Sequence, residues 1–523
     1  MVRVPTSKAC NTCRERKKGC DRRTPACGQC ILAGFECGGY TRDHLFVHAK
    51  VTNGRNKAIY TKKAPRDDIT LHPSLESKAR DEKYLGLYWS ALLPGSRTLS
   101  PDALEFSTGG WTTVAGQLCG SETTLRQAIL ATSLSMLGDR DNNATLKLNG
   151  LQTYTRAVQS MVTAIRNSRQ GNTDGLLAAV RFMIYFEIFF SSEGRKYRQM
   201  GSLGKVKGWE GHKNGEIALY TSRGADSLKT GFGHQLFVDG RLHTLYESIT
   251  QRKASPFSTF EWKTVPWEVE PKTVKDLMVD FMTDIPGLLE DLDYLRSNYS
   301  EALRQELLDK CARIEAEIAQ WEDTIGPPLQ MYDYDFADGP ISLPTTDKGF
   351  AILHLSQFYW CACLLLYSTM WFTQTIAPLS PSQRSEYGAQ GHPAITSSCA
   401  SGISLVGAQS LRNRHSRQTA PTAYAFKLAH SFYLAYLPGA GALGSHCSTF
   451  PLILTLSYLT MAEGLGLQCS EKQMIESIFD IPFLGSHVGQ FSKKMWNAMP
   501  RDDEGFYDSH AYWWRHGFQV TKE

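Results

Sequence analysis

The sequence predicts a mainly α chain in unequal parts: a small N-terminal cysteine cluster built around metal, a flexible basic linker and a large all-α C-terminal domain. Three observations carry that expectation. Six cysteines fall at a repeated spacing between Cys10 and Cys37. Positive charge is concentrated in the same head. Residues 1–66 hold 15 Lys+Arg against 4 Asp+Glu, so a head of net +11 precedes a body of −7 in a chain of net +4. From about residue 72 onward apolar residues recur at three- and four-residue intervals, and no alternation of strands with helices would build a parallel sheet. With 523 residues and 42% hydrophobic content, the chain has ample material for a large core.

Residues 1–9 read as a loose basic lead-in, where Lys8 adds charge beside the cluster. Residues 10–37 read CNTCRERKKGCDRRTPACGQCILAGFEC, with the spacing C-x2-C-x6-C-x6-C-x2-C-x6-C. The first half (Cys10, Cys13, Cys20) repeats as the second (Cys27, Cys30, Cys37), joined by a six-residue loop. Zinc prefers four tetrahedral ligands, and thiolates satisfy it well. Two cysteines two residues apart reach one ion, and a six-residue gap returns a third. Two ions need eight ligand positions, which six cysteines fill only if two of them bridge. The repeat symmetry points to the equivalent pair Cys10 and Cys27. A disulfide framework would need an oxidising compartment, and no signal peptide is evident. Disulfides would also leave the cations between the cysteines without a reason. With thiolates as all its ligands the zinc is expected to be structural, with no open position for catalysis.

On these residues the stretch resembles the DNA-binding domain of the fungal binuclear zinc cluster transcription factors. The likeness covers about 40 residues, and every cysteine gap fits. It implies two zinc ions on six thiolates and a short helix after the second cysteine that enters the major groove of double-stranded DNA and reads a CGG-type triplet. Carried over by position, that helix is Arg14-Glu15-Arg16-Lys17-Lys18-Gly19, with Arg16 and Lys17 nearest the bases and Arg14 facing a phosphate. Arg and Lys donate to guanine O6 and N7, about 1–3 kcal/mol per good contact. The remaining cations, Lys8, Lys18, Arg22 and Arg23, are expected to hold phosphates and set register. Thr24-Pro25 stands where the family keeps a proline in the loop between the halves. Gly19 departs from the family, which often has Lys or Arg there. The resemblance further implies a nuclear, sequence-specific regulator of RNA polymerase II transcription, acting with the transcription machinery. By family analogy it would control a metabolic or secondary-metabolite gene cluster.

Residues 38–70 are polar, basic and rich in turn formers, and read as a linker. No run of apolar heptads follows the cluster, so a homodimer would have to form without an adjacent coiled coil. Lys62-Lys63, with the Arg14–Lys18 and Arg22-Arg23 clusters, has the composition of a nuclear import signal.

Residues 71–523 read as one all-α regulatory domain. Helical patterns fall at 72–95, 122–137, 143–166, 174–191, 272–292, 301–321, 350–372, 394–411, 423–436 and 452–465, and a loop carries Gly109-Gly110-Trp111. LKLNGLQTYTRAVQSMVTAI, DGLLAAVRFMIYFEIF and GWEGHKNGEIALYTSRG resemble the helical regulatory region found behind one subset of these zinc clusters. The small-molecule effector of such a region is not written in the sequence. Cys119, Cys311, Cys361, Cys363, Cys399, Cys447 and Cys469 are scattered and read as small core residues in a reducing compartment.

Four features invite other readings. FAILHLSQFYWCACLLLYSTMWF (350–372) is long enough to span a bilayer, yet a buried central helix is also apolar all round, and no membrane is expected. Gly439 to Gly444 spells GxGxxG, with Glu463 beyond it, but a helix-like segment precedes it where a dinucleotide site needs a strand. A flexible inter-helix loop is expected there. His212 and Arg223 flank one predicted helix and are expected to serve packing or surface roles, not a ligand cavity. The acidic and aromatic C-terminus around Trp513-Trp514 is expected to dock on the α-domain, although activation segments share that composition. No histidine spacing or nucleophile elbow signals catalysis. Two alternatives stay open: an enzyme with a zinc-cluster targeting module, its body using the 439–444 glycines, and a protein-interaction module.

Overall fold

A computed structural model describes residues 8–40, 51–52, 55–56, 73–96, 98–167, 173–190, 201–336, 340–375, 420–464, 467–482 and 487–492. The chain divides into two compact units, Met1–Leu75 and Glu76–Glu523. The helix expected at 394–411, Cys399, the Lys62-Lys63 pair and the Trp513-Trp514 segment lie outside the described residues.

The first unit holds two short helices, α1 (Asn11–Glu15) and α2 (Gly28–Leu32), one in each cysteine repeat. Farther along, Val51–Thr52 pairs antiparallel with Arg55–Asn56. These are the only strands among the described residues. The sequence joining them is Asn53-Gly54, the dipeptide that most favours tight hairpins.

The second unit is built from helices. They are α3 (Pro73–Leu92), α4 (Pro101–Leu104), α5 (Trp111–Leu118), α6 (Thr123–Arg140), α7 (Ala144–Arg166), α8 (Asp174–Phe189), α9 (Gly201–Arg223), α10 (Gly231–Gln251), α11 (Phe260–Thr264), α12 (Val274–Met282), α13 (Ile285–Ser297), α14 (Glu301–Ile325), α15 (Asp347–Thr375), α16 (Pro421–Ala435), α17 (Gly441–Gly464) and α18 (Glu471–Ile478). Side chains start several of them: Ser100 caps α4, Asn143 caps α7, Thr173 caps α8, Thr273 and Asp276 form a capping box on α12, and Ser300 caps α14.

Three expectations are corrected. The stretch 272–292 is two helices, broken at Thr283 and Asp284, because Pro286 has no N–H to continue a helix and suits the first turn of the next one. Trp111 opens α5 instead of lying in a loop; its backbone N–H donates to the buried Asp239 carboxylate of α10 (2.7 Å). The GxGxxG segment is no flexible loop. Gly441 begins α17, which runs on through Pro451.

Two apolar cores fill the unit. One gathers α3 and α5 to α10 around Trp111, Phe182, Phe186 and Phe237. The other surrounds α15 with α12 to α14, α16, α17 and α18. By length and composition α15 could cross a membrane, but its apolar window is wholly buried, which is the buried central helix expected. Cys361 and Cys363 lie on it, both fully buried. Ala442 and Leu443 of α17 enter the first core and Leu452 to Ala462 the second. Buried ion pairs tie α8, α9, α10 and α12 together: Arg181 with Glu216 (2.8 Å), Lys213 with Glu247 (3.1 Å) and Lys275 with Asp239 (2.8 Å).

Candidate metal centre and nucleic-acid interface

The two cysteine repeats fold alike, atom for atom along much of their backbone. The Cys10 sulfur accepts from the Cys13 N–H (3.4 Å) and caps α1; the Cys27 sulfur accepts from the Cys30 N–H (3.3 Å) and caps α2. The Cys10 N–H donates to the Cys20 sulfur and the Cys27 N–H to the Cys37 sulfur, both at 3.4 Å. Each short helix ends in the same reverse turn: Lys18 N–H to Cys13 O and Phe35 N–H to Cys30 O, both 2.9 Å. Two such copies can bring their six sulfurs into one cluster.

That is what the sulfurs do. Two groups of four have all their sulfurs within 4.8 Å of one another: Cys10, Cys13, Cys20, Cys27 and Cys10, Cys27, Cys30, Cys37. Cys10 and Cys27 belong to both. Their sulfurs are 3.5 Å apart. A tetrahedral site with zinc–sulfur bonds of about 2.3 Å has sulfur–sulfur edges of about 3.8 Å, so the spacing suits a tetrahedral metal.

The chemistry of the donor set fits zinc as well. Burial pushes the thiols of Cys10, Cys13, Cys27 and Cys30 up. Backbone N–H donors act the other way on the outer pair, holding Cys20 down at about 7 and Cys37 below its usual range. Buried sulfur of this kind is satisfied as thiolate only beside a cation. Cys10, Cys13, Cys27 and Cys30 are fully buried, and Ala9, Cys20, Cys37 and Tyr40 close around them. The rest is a frame of hydrogen bonds. Thr12 Oγ1 donates to Glu36 O (2.9 Å) and accepts from Gly38 N–H (2.8 Å). Asp21 accepts from the Gly28 N–H (2.9 Å), where a Cβ would stand 2.5 Å from its carboxylate. Tyr40 donates to Arg23 O (2.8 Å). In the loop between the halves the Thr24-Pro25 bond is cis.

The cations expected at DNA sit outside this frame. Lys8, Arg14, Lys17, Lys18, Arg22 and Arg23 are exposed, and Arg16 is half-buried. Arg14 donates to Asn11 Oδ1 (2.9 Å) and Arg23 lies 3.6 Å from Asp21. The helix differs from the one carried over by resemblance. It runs Asn11–Glu15, so Arg16, Lys17 and Lys18 occupy its C-terminal cap and the turn beyond. The cause is local: Cys10 starts the helix, and Lys17, with φ 53°, ends it in the left-handed region.

The Arg16 guanidinium lies 3.8 Å over the ring of Phe35, a residue that sequence reasoning passed over. The repeat itself held the signal, since Phe35 follows Cys30 as Lys18 follows Cys13. Elsewhere, His212 bonds Tyr154 (2.8 Å) and Arg223 pairs with Asp174 (2.6 Å), both packing roles. Gly441, with φ 64°, packs against the Leu92 carbonyl at the head of α17, where a Cβ would stand 2.5 Å from it. The element that leads into the GxGxxG segment is a helix, α16, where a dinucleotide site needs a strand.

Two family models match the chain. The model of the fungal Zn(2)-Cys(6) binuclear cluster domain matches residues 8–44. That of the fungal specific transcription factor domain matches residues 98–386, more than half of the length. No curated protein and no solved structure matches the chain.

Proposed function

The chain belongs to the fungal-specific transcription factor family and carries its Zn(2)-Cys(6) cluster, and from that premise we propose that residues 8–37 read CGG-type triplets in double-stranded DNA. The protein is a zinc-binding, DNA-binding transcription regulator. Cys10, Cys13, Cys20, Cys27, Cys30 and Cys37 hold two zinc ions, with Cys10 and Cys27 bridging. The observation that carries this is the pair of four-sulfur groups sharing those two residues. Zinc supplies the cationic centre that gives the small unit its fold. The chain's own side chains meet the DNA. Arg16 and Lys17 contact base edges, while Lys8, Arg14, Lys18, Arg22 and Arg23 hold phosphates. The protein acts in the nucleus on genes read by RNA polymerase II, as a regulator and not as an enzyme. A metabolic or secondary-metabolite gene cluster is its target by family analogy alone.

Binding-site selection from random duplexes with the zinc-loaded full-length chain tests the reading. Enrichment of CGG triplets and two zinc ions per chain are expected. Enrichment of an unrelated sequence, or of none, overturns it.

A further inference from the structure

We propose that Phe35 is a positioning residue for DNA reading: its ring fixes the Arg16 guanidinium in the plane from which that arginine reaches guanine. The inference rests on the base-reading role given to Arg16 above. It deepens that role by naming the second repeat as part of the reading device.

The two residues come from different halves of the cluster, 19 positions apart, and the Arg16 guanidinium carbon lies over the Phe35 ring, 3.8 Å from its centre. Phe35 is 50% exposed although it is a large apolar side chain. It closes no apolar interior, since the interior of this unit is sulfur. Its ring instead lies under the Arg16 guanidinium. Its backbone N–H is tied to Cys30 O (2.9 Å), so the ring stands on the rigid end of the second zinc-binding turn. Arg16 is the only cation of the basic stretch that is half-buried. Among the described residues no carboxylate pairs with it. A guanidinium stacked on a ring keeps its edge donors free, and the edge is what meets O6 and N7 of guanine.

The repeat sharpens the point. The place of Lys18 in the first half is taken by Phe35 in the second, and those of Arg14 and Glu15 by Ile31 and Leu32. The first half thus presents charge and the second supplies an apolar surface against which one of those charges is held. An arginine on a long, unrestrained stem loses rotamer freedom when it binds. A stack at an exposed site offsets part of that loss, by about two- to fivefold in an equilibrium constant.

The test uses the full-length, zinc-loaded chain with Phe35→Ala, Phe35→Leu and Phe35→Trp. Binding to a CGG duplex and to a scrambled duplex is measured by fluorescence anisotropy at two salt concentrations, with zinc content checked for each variant. Phe35→Ala and Phe35→Leu are expected to lower the ratio of CGG to scrambled affinity about two- to fivefold. Scrambled binding, its salt dependence and two zinc ions per chain should stay unchanged. Phe35→Trp should keep the wild-type ratio. An unchanged ratio in Phe35→Ala, or a ratio kept by Phe35→Leu, overturns the inference, because then the ring is dispensable or only its bulk matters. NMR gives a readout free of DNA: the Arg16 side-chain protons should be shifted upfield by the ring and return in Phe35→Ala. A wild-type chain that holds both duplexes alike overturns the CGG reading itself, and that outcome is told apart because the wild type, not the variant, fails.

Discussion

Lys17 and Gly34 hold the same place in the two cysteine repeats, and both have a left-handed backbone, with φ of 53° and 69°. The second half uses glycine, for which this conformation is free of strain. The first half places a lysine there, at about 1 kcal/mol.

A lysine kept in a glycine position implies that its side chain matters more than local comfort. Lys17→Gly is therefore expected to make the cluster harder to strip of zinc in competition with a chelator, by about 1 kcal/mol. The same variant should lose about tenfold or more in preference for CGG over scrambled duplex. Lys17→Ala should lose the preference without the gain in stability. By contrast Lys8→Ala and Arg22→Ala should weaken both duplexes alike and reduce the salt slope. Equal weakening of both duplexes by Lys17→Ala would remove it from the bases.

Zinc removal should separate the two units. The first has sulfur for a core, and zinc binding of about 10–16 kcal/mol per structural site is folding energy there. Chelation should abolish DNA binding and make residues 8–40 protease-sensitive. The far-UV helical signal should stay close to that of the zinc-loaded chain, because the helical unit has cores of its own. DNA binding that survives chelation would refute the zinc dependence.

Arg181 and Glu216 are both fully buried; Arg181 also donates to Tyr220 (2.7 Å) and to Leu236 O. Removing one partner strands the other. Glu216→Ala should lower stability in a denaturant melt by about 3–5 kcal/mol. The double variant Arg181→Met with Glu216→Leu should recover part of that loss. Strict additivity of the two changes would show that the charges do not depend on each other.

Burial holds His354 down at about 4, His212 at about 4 and His446 at about 3. Above about pH 6.5 these histidines are neutral in folded and unfolded chains alike, and pH costs nothing through them. Below it the unfolded chain takes up protons that the folded one refuses. Stability should then fall as pH drops from about 6.5 toward 4, by about 1.4 kcal/mol per pH unit for each histidine. His354→Gln should flatten the slope by one such contribution. An unchanged slope between pH 6.5 and 5 would mean that His354 is protonated in place.

The cysteine repeat was legible because ligand spacing is a local property. So were most long helices, through their apolar stripes. What escaped notice lacked a stripe. α10 is buried on every side, with Asp239, Arg241 and Glu247 among its buried residues, so its polar residues looked like surface. The first turns of α17 read as a polar loop, yet Ser445, Ser448 and Thr449 are buried. Thr449 and Thr455 give their hydroxyl protons to carbonyls one turn back, at 2.7 Å each, which lets a polar string lie in a core. The partners of Arg181 are 35 to 55 residues distant, beyond any spacing rule. At the cluster, the metal ligands stood out by type, whereas Phe35 acts through a single stacked contact that composition does not announce.

The matched regulatory domain stops at residue 386, but the wall around α15 does not. Gln357 on α15 donates to Ser431 of α16 (3.0 Å) and accepts from Ser448 of α17 (2.7 Å). A fragment cut at 98–386 would leave that amide without either partner and turn one flank of a fully enclosed apolar helix toward water. It would be expressed as an aggregate. Anyone preparing the regulatory half for screening or crystallisation should keep the chain through at least Phe491, since Val488 and Phe491 are buried and the limits of the recognised domain do not set the shortest stable piece.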